Sequence, residues 1–323
     1  MISYVAALLT AITNAASNVL NRKATREEPQ KVEFRMRLIL DLLHRRMWLV
    51  AVAVMLLSFL FGAFALGTGQ LAAVQIIIIL ELPLTLLGAA KFLGGRLNAR
   101  EWAAVASMTA GVIGLLAILD PQPGPPVAIP AAKWIVGSAA TVVPTAAFFL
   151  LARRTGSPAR RAALLGLATG LSYGLAAAYT KGLTRQFTHG GIVGALESWQ
   201  LYAAAAVGIA ATWLLQNAYH AGRLAAAQPG VTLLDPAAAT AWGIAVFGER
   251  VRGGPFLALT PLPAIALVAG VLLLSRSPVL QGSAGGDEPA RDTVSPTQAS
   301  ARPDARSRQP TAHPPLRRTH GAP

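Results

Sequence analysis

Two stretches of the chain, 153 residues apart, spell nearly the same apolar segment. Gly69-Gln70-Leu71-Ala72-Ala73-Val74-Gln75 returns as Gly222-Arg223-Leu224-Ala225-Ala226-Ala227-Gln228. The register holds through Leu80/Leu233 to Pro83/Pro236, with seven identities over the fifteen positions Gly69–Pro83. Each copy is interrupted by proline and carries one acid near its middle, Glu81 and Asp235. A chain that repeats such a segment folds as two related membrane halves.

Composition sets the environment. Hydrophobic residues make up 54% of the chain and charged residues 13%, about half the charge of a soluble protein. The apolar residues fall in nine runs of about 18–24, enough to cross a hydrocarbon core of roughly 30 Å. They cover about 2–20, 47–66, 70–90, 102–119, 132–152, 162–180, 199–217, 224–247 and 256–275. The expected fold is all-α and polytopic, with nine transmembrane helices.

The net charge of +14 would fit a nucleic-acid partner, but the placement of the charges argues against one. Sixteen basic residues fall in the connections after the first, third, fifth and seventh runs, beginning with the segment 21–46. The other face receives five: Lys133, Lys181, Arg185, Arg250 and Arg252. By the positive-inside bias the N-terminus is outside and the C-terminal tail in the cytoplasm. Arg22-Lys23 follows the first apolar run rather than preceding it, opposite to a cleaved signal peptide, so that run should be retained. The membrane expected is the cytoplasmic membrane of a bacterium. With no cysteine, disulfides, thiolate metal sites and thiol catalysis are excluded.

The repeat runs beyond the opening motif. Trp48 opens the second run as Trp199 opens the seventh, and Ala110-Gly111-Val112 matches Ala269-Gly270-Val271. Ala7-Leu8-Leu9 with Thr13 corresponds to Ala163-Leu164-Leu165 with Thr169. The organisation predicted is a first four-helix repeat over 1–130 with the basic loop 21–46, a linking helix over 131–161, a second repeat over 162–275, and a disordered tail over 276–323. Five helices separate each equivalent pair, so equivalent helices cross in opposite directions and the repeats are inverted. Inverted repeats permit alternating access around a site at the midplane. Within loop 21–46, Val32–Leu43 has the apolar content to lie along headgroups. Membrane lipid is therefore a partner, and a homodimer is one candidate assembly.

Acids inside a membrane cost about 2.5–3.5 kcal/mol each on insertion scales and mark ion or substrate paths. Glu81 and Asp235 are not equivalent: Asp235 aligns with Leu82, so the two differ by about 100° of helix rotation. Gln228, Thr232 and Asp235, at i, i+4 and i+7, make one polar stripe on the eighth run. If the face of Gln75 and Gln228 lines a cavity, Asp235 looks into it and Glu81 looks toward another helix. Thr10, Thr13, Asn14, Ser17, Asn18 and Asn21 form a second stripe on the first run, and Thr169, Ser172, Tyr173 and Thr180 a third on the sixth. Neutral hydroxyls and amides converging on a carboxyl suit a small polar or zwitterionic substrate; helix adhesion is the plainer use of any one of them. Trp48, Trp134 and Trp199 open their runs as interface anchors would. Pro144, Pro229-Gly230, Pro236, Pro261 and Pro263 are kink or hinge candidates. The motifs of common hydrolases, zincins and nucleotide-binding loops are missing, so neither catalysis nor a cofactor is expected.

The segment Gly222–Arg250, with Leu-Ala-Ala-x-Gln-Pro, Asp235-Pro236 and a closing Gly248-Glu249-Arg250, resembles the end of an EamA-type repeat of the drug/metabolite transporter superfamily. The resemblance spans roughly residues 2–275 and implies two inverted repeats and movement of small metabolites without ATP hydrolysis. Nine runs stand in place of the usual ten, and Gly95-Arg96 replaces the Gly-Glu pair in the first repeat. Nine-helix relatives are similar to NIPA-type magnesium transporters, which implies a second reading in which two midplane acids hold a partly hydrated Mg²⁺. A non-transporting membrane scaffold is a third.

Overall fold

The computed structural model describes residues 1–26, 46–92, 97–125, 128–222 and 224–275. The amphipathic reading of 32–43 and the tail reading of 276–323 fall outside the described residues. Among the described residues ten α-helices follow in chain order: α1 (Ile2–Arg26), α2 (Arg46–Thr68), α3 (Leu71–Ile78), α4 (Glu81–Phe92), α5 (Ala99–Leu119), α6 (Ala131–Arg154), α7 (Pro158–Glu197), α8 (Trp199–Ala221), α9 (Leu224–Ala245) and α10 (Pro261–Ser275). A 3-10 turn, Gly254–Leu259, leads into α10. Among the described residues seven helical segments are long and apolar enough to cross a membrane, with α3 and α4 counted as one of 22 residues. These make the chain a multi-pass membrane protein by length and composition. Of the other two expected spans, α2 contributes the shorter apolar stretch Ala53–Thr68, and α9 has its apolar content diluted by Gln228, Thr232, Asp235 and two prolines.

Two boundaries differ from the sequence reading. The third span, expected as one helix, breaks at Ile79-Leu80. Pro83 has no N–H to give the Ile79 carbonyl and its ring crowds that carbonyl. The chain instead tightens, with Leu80 N–H donating to Ile77 O at 3.0 Å and Leu82 N–H to Ile79 O at 3.2 Å. The sixth span, expected to end at 180, continues as helix to Glu197, 40 residues with a break at Gly191, where φ is +61°. The helix from Pro158 to the break is by itself about 50 Å long, more than the roughly 30 Å hydrocarbon core.

Glycines set the closest helix contacts. Gly166, Gly170 and Gly174 recur every fourth residue on α7, and a Cβ at each would strike α9: the Ala227 carbonyl, the Gly230 carbonyl at 2.7 Å, and the Asp235 carbonyl at 2.8 Å. The backbones therefore approach as only small residues allow. α5 and α10 meet reciprocally. A Cβ on Gly111 would lie 2.9 Å from Pro263 O and 2.8 Å from Leu267 N, and one on Gly270 would lie 3.0 Å from Ala104 O and 2.5 Å from Met108 Cγ. Ser107 Oγ donates to Ala266 O at 2.6 Å. The two helices are antiparallel here, and each glycine meets the same pair of positions on the other.

Trp134 is not an interface anchor. It is 8% exposed and sits at the centre of an aromatic cluster with Tyr179, Trp199, Trp242 and Phe247, ring centroids 5.2–6.0 Å away. Gly182 and Gly137 make the room, since Cβ atoms there would press on the Trp134 and Trp242 rings at 2.7 and 2.8 Å. The buried Trp242 N–H is satisfied by Thr141 Oγ1 at 2.8 Å. Trp199, 47% exposed, keeps a face outward.

Candidate functional site

A cavity of about 350 Å³ lies where α1, α2, α3, α7 and α9 converge, so elements from both sequence halves wall it. α1 gives Thr10 and Asn14, α2 gives Ser58 and Phe59, and α3 gives Gln75. From the other half α7 gives Tyr173 and Thr180, and α9 gives Asp235. Of the residues singled out in the sequence, Asp235, Gln75, Asn14 and Tyr173 are thus brought together on one cavity.

Asp235 reaches the cavity because Gly174 lets the α9 backbone seat against α7 at that level. Its Oδ1 is buried and has no hydrogen-bond partner among the described residues. A buried carboxyl oxygen without a donor is costly and calls for a ligand atom or a proton. Glu81 faces elsewhere. It opens α4 and turns to α1, where Asn14 Nδ2 donates to Oε2 at 2.9 Å and Asn18 Nδ2 to Oε1 at 2.8 Å. Asn14 and Asn18 are one turn apart on α1, so both amides reach one carboxyl. Asn14 Oδ1 in turn accepts from Ser58 Oγ, which ties the Glu81 network to the cavity wall. The two acids lie within electrostatic reach of each other.

The remaining sequence candidates are placed away from the cavity lining. Gln228 Nε2 donates along α9 to Thr232 Oγ1 at 3.3 Å. Ser172 is buried and donates to Ala168 O at 2.9 Å, and Ser17 is buried on α1. Asn18 serves Glu81. Repeat equivalence therefore does not become functional equivalence: Gln75 lines the cavity and Gln228 does not.

One end of the bundle is held together by a charge network. α9 ends in a turn at Gly248, φ +68°, which folds Glu249 back over Gly243. There Glu249 Oε1 accepts from Leu71 N at 2.6 Å and Oε2 from Ala72 N at 3.1 Å, capping α3, whose own N-cap Gln70 supplies no side-chain bond. Lys181 Nζ completes the cluster, 2.7 Å from Glu249 Oε1 and 2.7 Å from Gly69 O. Both side chains are buried, and the Phe247 ring lies under the ammonium at 5.3 Å. The sequence reading set Lys181 in an external loop. The structure corrects this: α7 continues through it, and Glu249 is the partner that lets it be buried. At the same end a Cβ on Gly69 would strike Ser3 Cβ at 2.6 Å, and one on Gly67 would sit tightly against Thr184 Cβ at 3.1 Å.

Compared with known proteins, the chain is 30% identical over 248 residues to an uncharacterized protein of Corynebacterium glutamicum, covering 76% of this chain and 84% of that protein. The chain belongs to that protein's family. No protein-family model matches the sequence, and no solved structure does.

Within this family member, two features escaped sequence reasoning although signals for them were present. A Gly166/Gly170/Gly174 spacing marks a helix that will take a close partner. Lys181 sits within an apolar and small-residue stretch, which is where a lysine needs an acid. What the sequence does not contain is the identity of that acid, 68 residues away.

Proposed function

We propose that the chain is a secondary transporter of a small polar organic solute, moving it across the bacterial cytoplasmic membrane by alternating access. The observation that carries this is the cavity walled by both halves, with the unpartnered Asp235 oxygen among its lining residues. Two inverted four-helix repeats, with α6 as the linking helix, are supported by the α5–α10 contact. Gly111 and Gly270 are equivalent residues, and their reciprocal antiparallel packing is what a two-fold relation between halves produces. The packing of α1 with α2, α3 and α4 is echoed by that of α7 with α8 and α9. One asymmetry stands out: α2 also packs on α7, while α8 has no contact of similar extent with α1. Alternating access requires this, because in any one state the two ends of the bundle differ.

With Lys181 buried at the charge network, the positive-inside count becomes sixteen against four, which favours Met1 outside and the Lys181/Glu249 end facing out. The resemblance to EamA-type members of the drug/metabolite transporter superfamily points to the same function. Nothing in the site favours the magnesium reading: both Glu81 oxygens are engaged by asparagine amides, and among the described residues no three His, Cys, Asp or Glu gather.

The test is solute counterflow in vesicles containing the purified full-length protein, with labelled pools of amino acids, nucleosides, sugars and amines. At least one pool should exchange faster than in protein-free vesicles, and the excess should vanish in Asp235→Asn. Exchange indistinguishable from protein-free vesicles across all pools would overturn the reading.

A further inference from the structure

The hydrogen-bonding state of the cavity walls narrows the solute. Thr10 Oγ1 donates to Ala6 O at 2.8 Å and Thr180 Oγ1 to Ala176 O at 2.8 Å. Ser58 Oγ is spent on Asn14 Oδ1 and Thr10 O. Each hydroxyl has one proton and two lone pairs, so these three present acceptors to the cavity, not donors. Asp235 adds a carboxyl oxygen with no donor on it. No lysine or arginine lines the cavity among the described residues, and Lys181 is committed to Glu249. Met55, Phe59 and Leu66 of α2 line the same cavity and give it apolar surface for a hydrocarbon portion.

We infer that the solute is a small organic ammonium ion, its N–H groups donating to Asp235 and to the threonine and serine oxygens, its apolar part against Phe59 and Met55. This rests on the transporter reading and narrows its substrate class. It also departs from the zwitterionic solute expected from sequence. A carboxylate in this cavity would meet another carboxyl and the hydroxyl lone pairs; the Gln75 amide and Tyr173 phenol are its neutral donors, and no cation lines the cavity among the described residues to offset its charge. An ammonium supplies the donors that Asp235 and the three hydroxyl oxygens lack. A neutral isostere with a hydroxyl supplies one donor and no charge, so it leaves most of the acceptors unmatched.

The experiment is titration calorimetry on the detergent-purified full chain with 2-phenylethylammonium, butylammonium, 2-phenylethanol, 1-butanol and phenylalanine. Each ammonium should bind at least about tenfold more tightly than its alcohol, the weight of one charge-assisted hydrogen bond, and phenylalanine should bind more weakly than 2-phenylethylammonium. Asp235→Asn should remove the preference for the ammonium, and Asp235→Glu should restore part of it, separating loss of charge from loss of fold. Equal affinity for ammonium and alcohol, tighter binding of phenylalanine, or no binding of either ammonium overturns the inference. The two readings fail separately. Ammonium binding without counterflow of the bound probe removes transport and leaves the site. Counterflow of a neutral or acidic solute that survives Asp235→Asn leaves transport and removes the ammonium site.

Discussion

At the scale of single residues, the two intramembrane acids divide the labour by what surrounds them. Glu81 has a donor on each oxygen, and its role is to fix α4 to α1. Asn14→Ala and Asn18→Ala should each lower stability by about 1–3 kcal/mol, because each leaves a carboxylate oxygen without its donor. In thermal melts the double variant, combined with Glu81→Gln, should show non-additivity, whereas independent effects would mean that Glu81 is held by something else. Asp235 stands apart because its Oδ1 has no donor among the described residues. The sequence made this division partly legible: the 100° offset between the acids follows from a one-residue shift in the repeat. It could not say that Gln228 would bond Thr232 along its own helix instead of facing the cavity. Both geometries satisfy the same spacing, and only the position of α7 separates them.

At the scale of helices, small residues and one buried ion pair set the arrangement. The Gly166/Gly170/Gly174 face brings α9 against α7 and aims Asp235. Gly170→Leu should overpack this seam at a cost of about 1–3 kcal/mol, read as a lower melting temperature in detergent; an unchanged melt would mean the seam can open freely. The Lys181–Glu249 pair joins α7, the end of α9 and the start of α3. Removing one partner of a buried pair leaves the other charge uncompensated, at about 3–5 kcal/mol when the pair cannot open to water. Here an opened end would rehydrate the charge, so Glu249→Gln should shift the molecule toward that opening. The chain contains no cysteine, so a single Thr184→Cys is a clean reporter. Its maleimide labelling should be faster in Glu249→Gln than with Glu249 present, and slower or equal labelling would contradict a closing role. Apolar runs announced the helices but not their breaks: Pro83 splits the third span while α9 continues through Pro229 and Pro236. Helix boundaries inside apolar sequence depend on packing that hydropathy does not encode. Trp134 shows the same limit, being placed at the head of a helix like an anchor yet enclosed by Gly182 and by the rings of Tyr179, Trp242 and Phe247 from later in the chain.

At the scale of the whole molecule, the proposed transport needs a shared cavity and two ends that open in turn. Residues from both sequence halves wall one cavity, and one end of the bundle is drawn together by Lys181, Glu249 and the close passage of α2 by α7. The duplication was the most legible feature of the sequence, because Gly, Gln and Pro kept register over 153 residues. Its consequence for mechanism is motion, which distance measurements on the membrane-embedded protein read directly. Spin labels at Thr68→Cys and Thr188→Cys would report the end drawn together by Lys181 and Glu249, and labels at Lys91→Cys and His220→Cys the opposite end. Pulsed electron double resonance in lipid nanodiscs should give two distance populations for each pair. Glu249→Gln should lengthen the first distance and shorten the second. A single, unchanged distance at both ends in both proteins would contradict alternating access and leave the chain a rigid membrane scaffold.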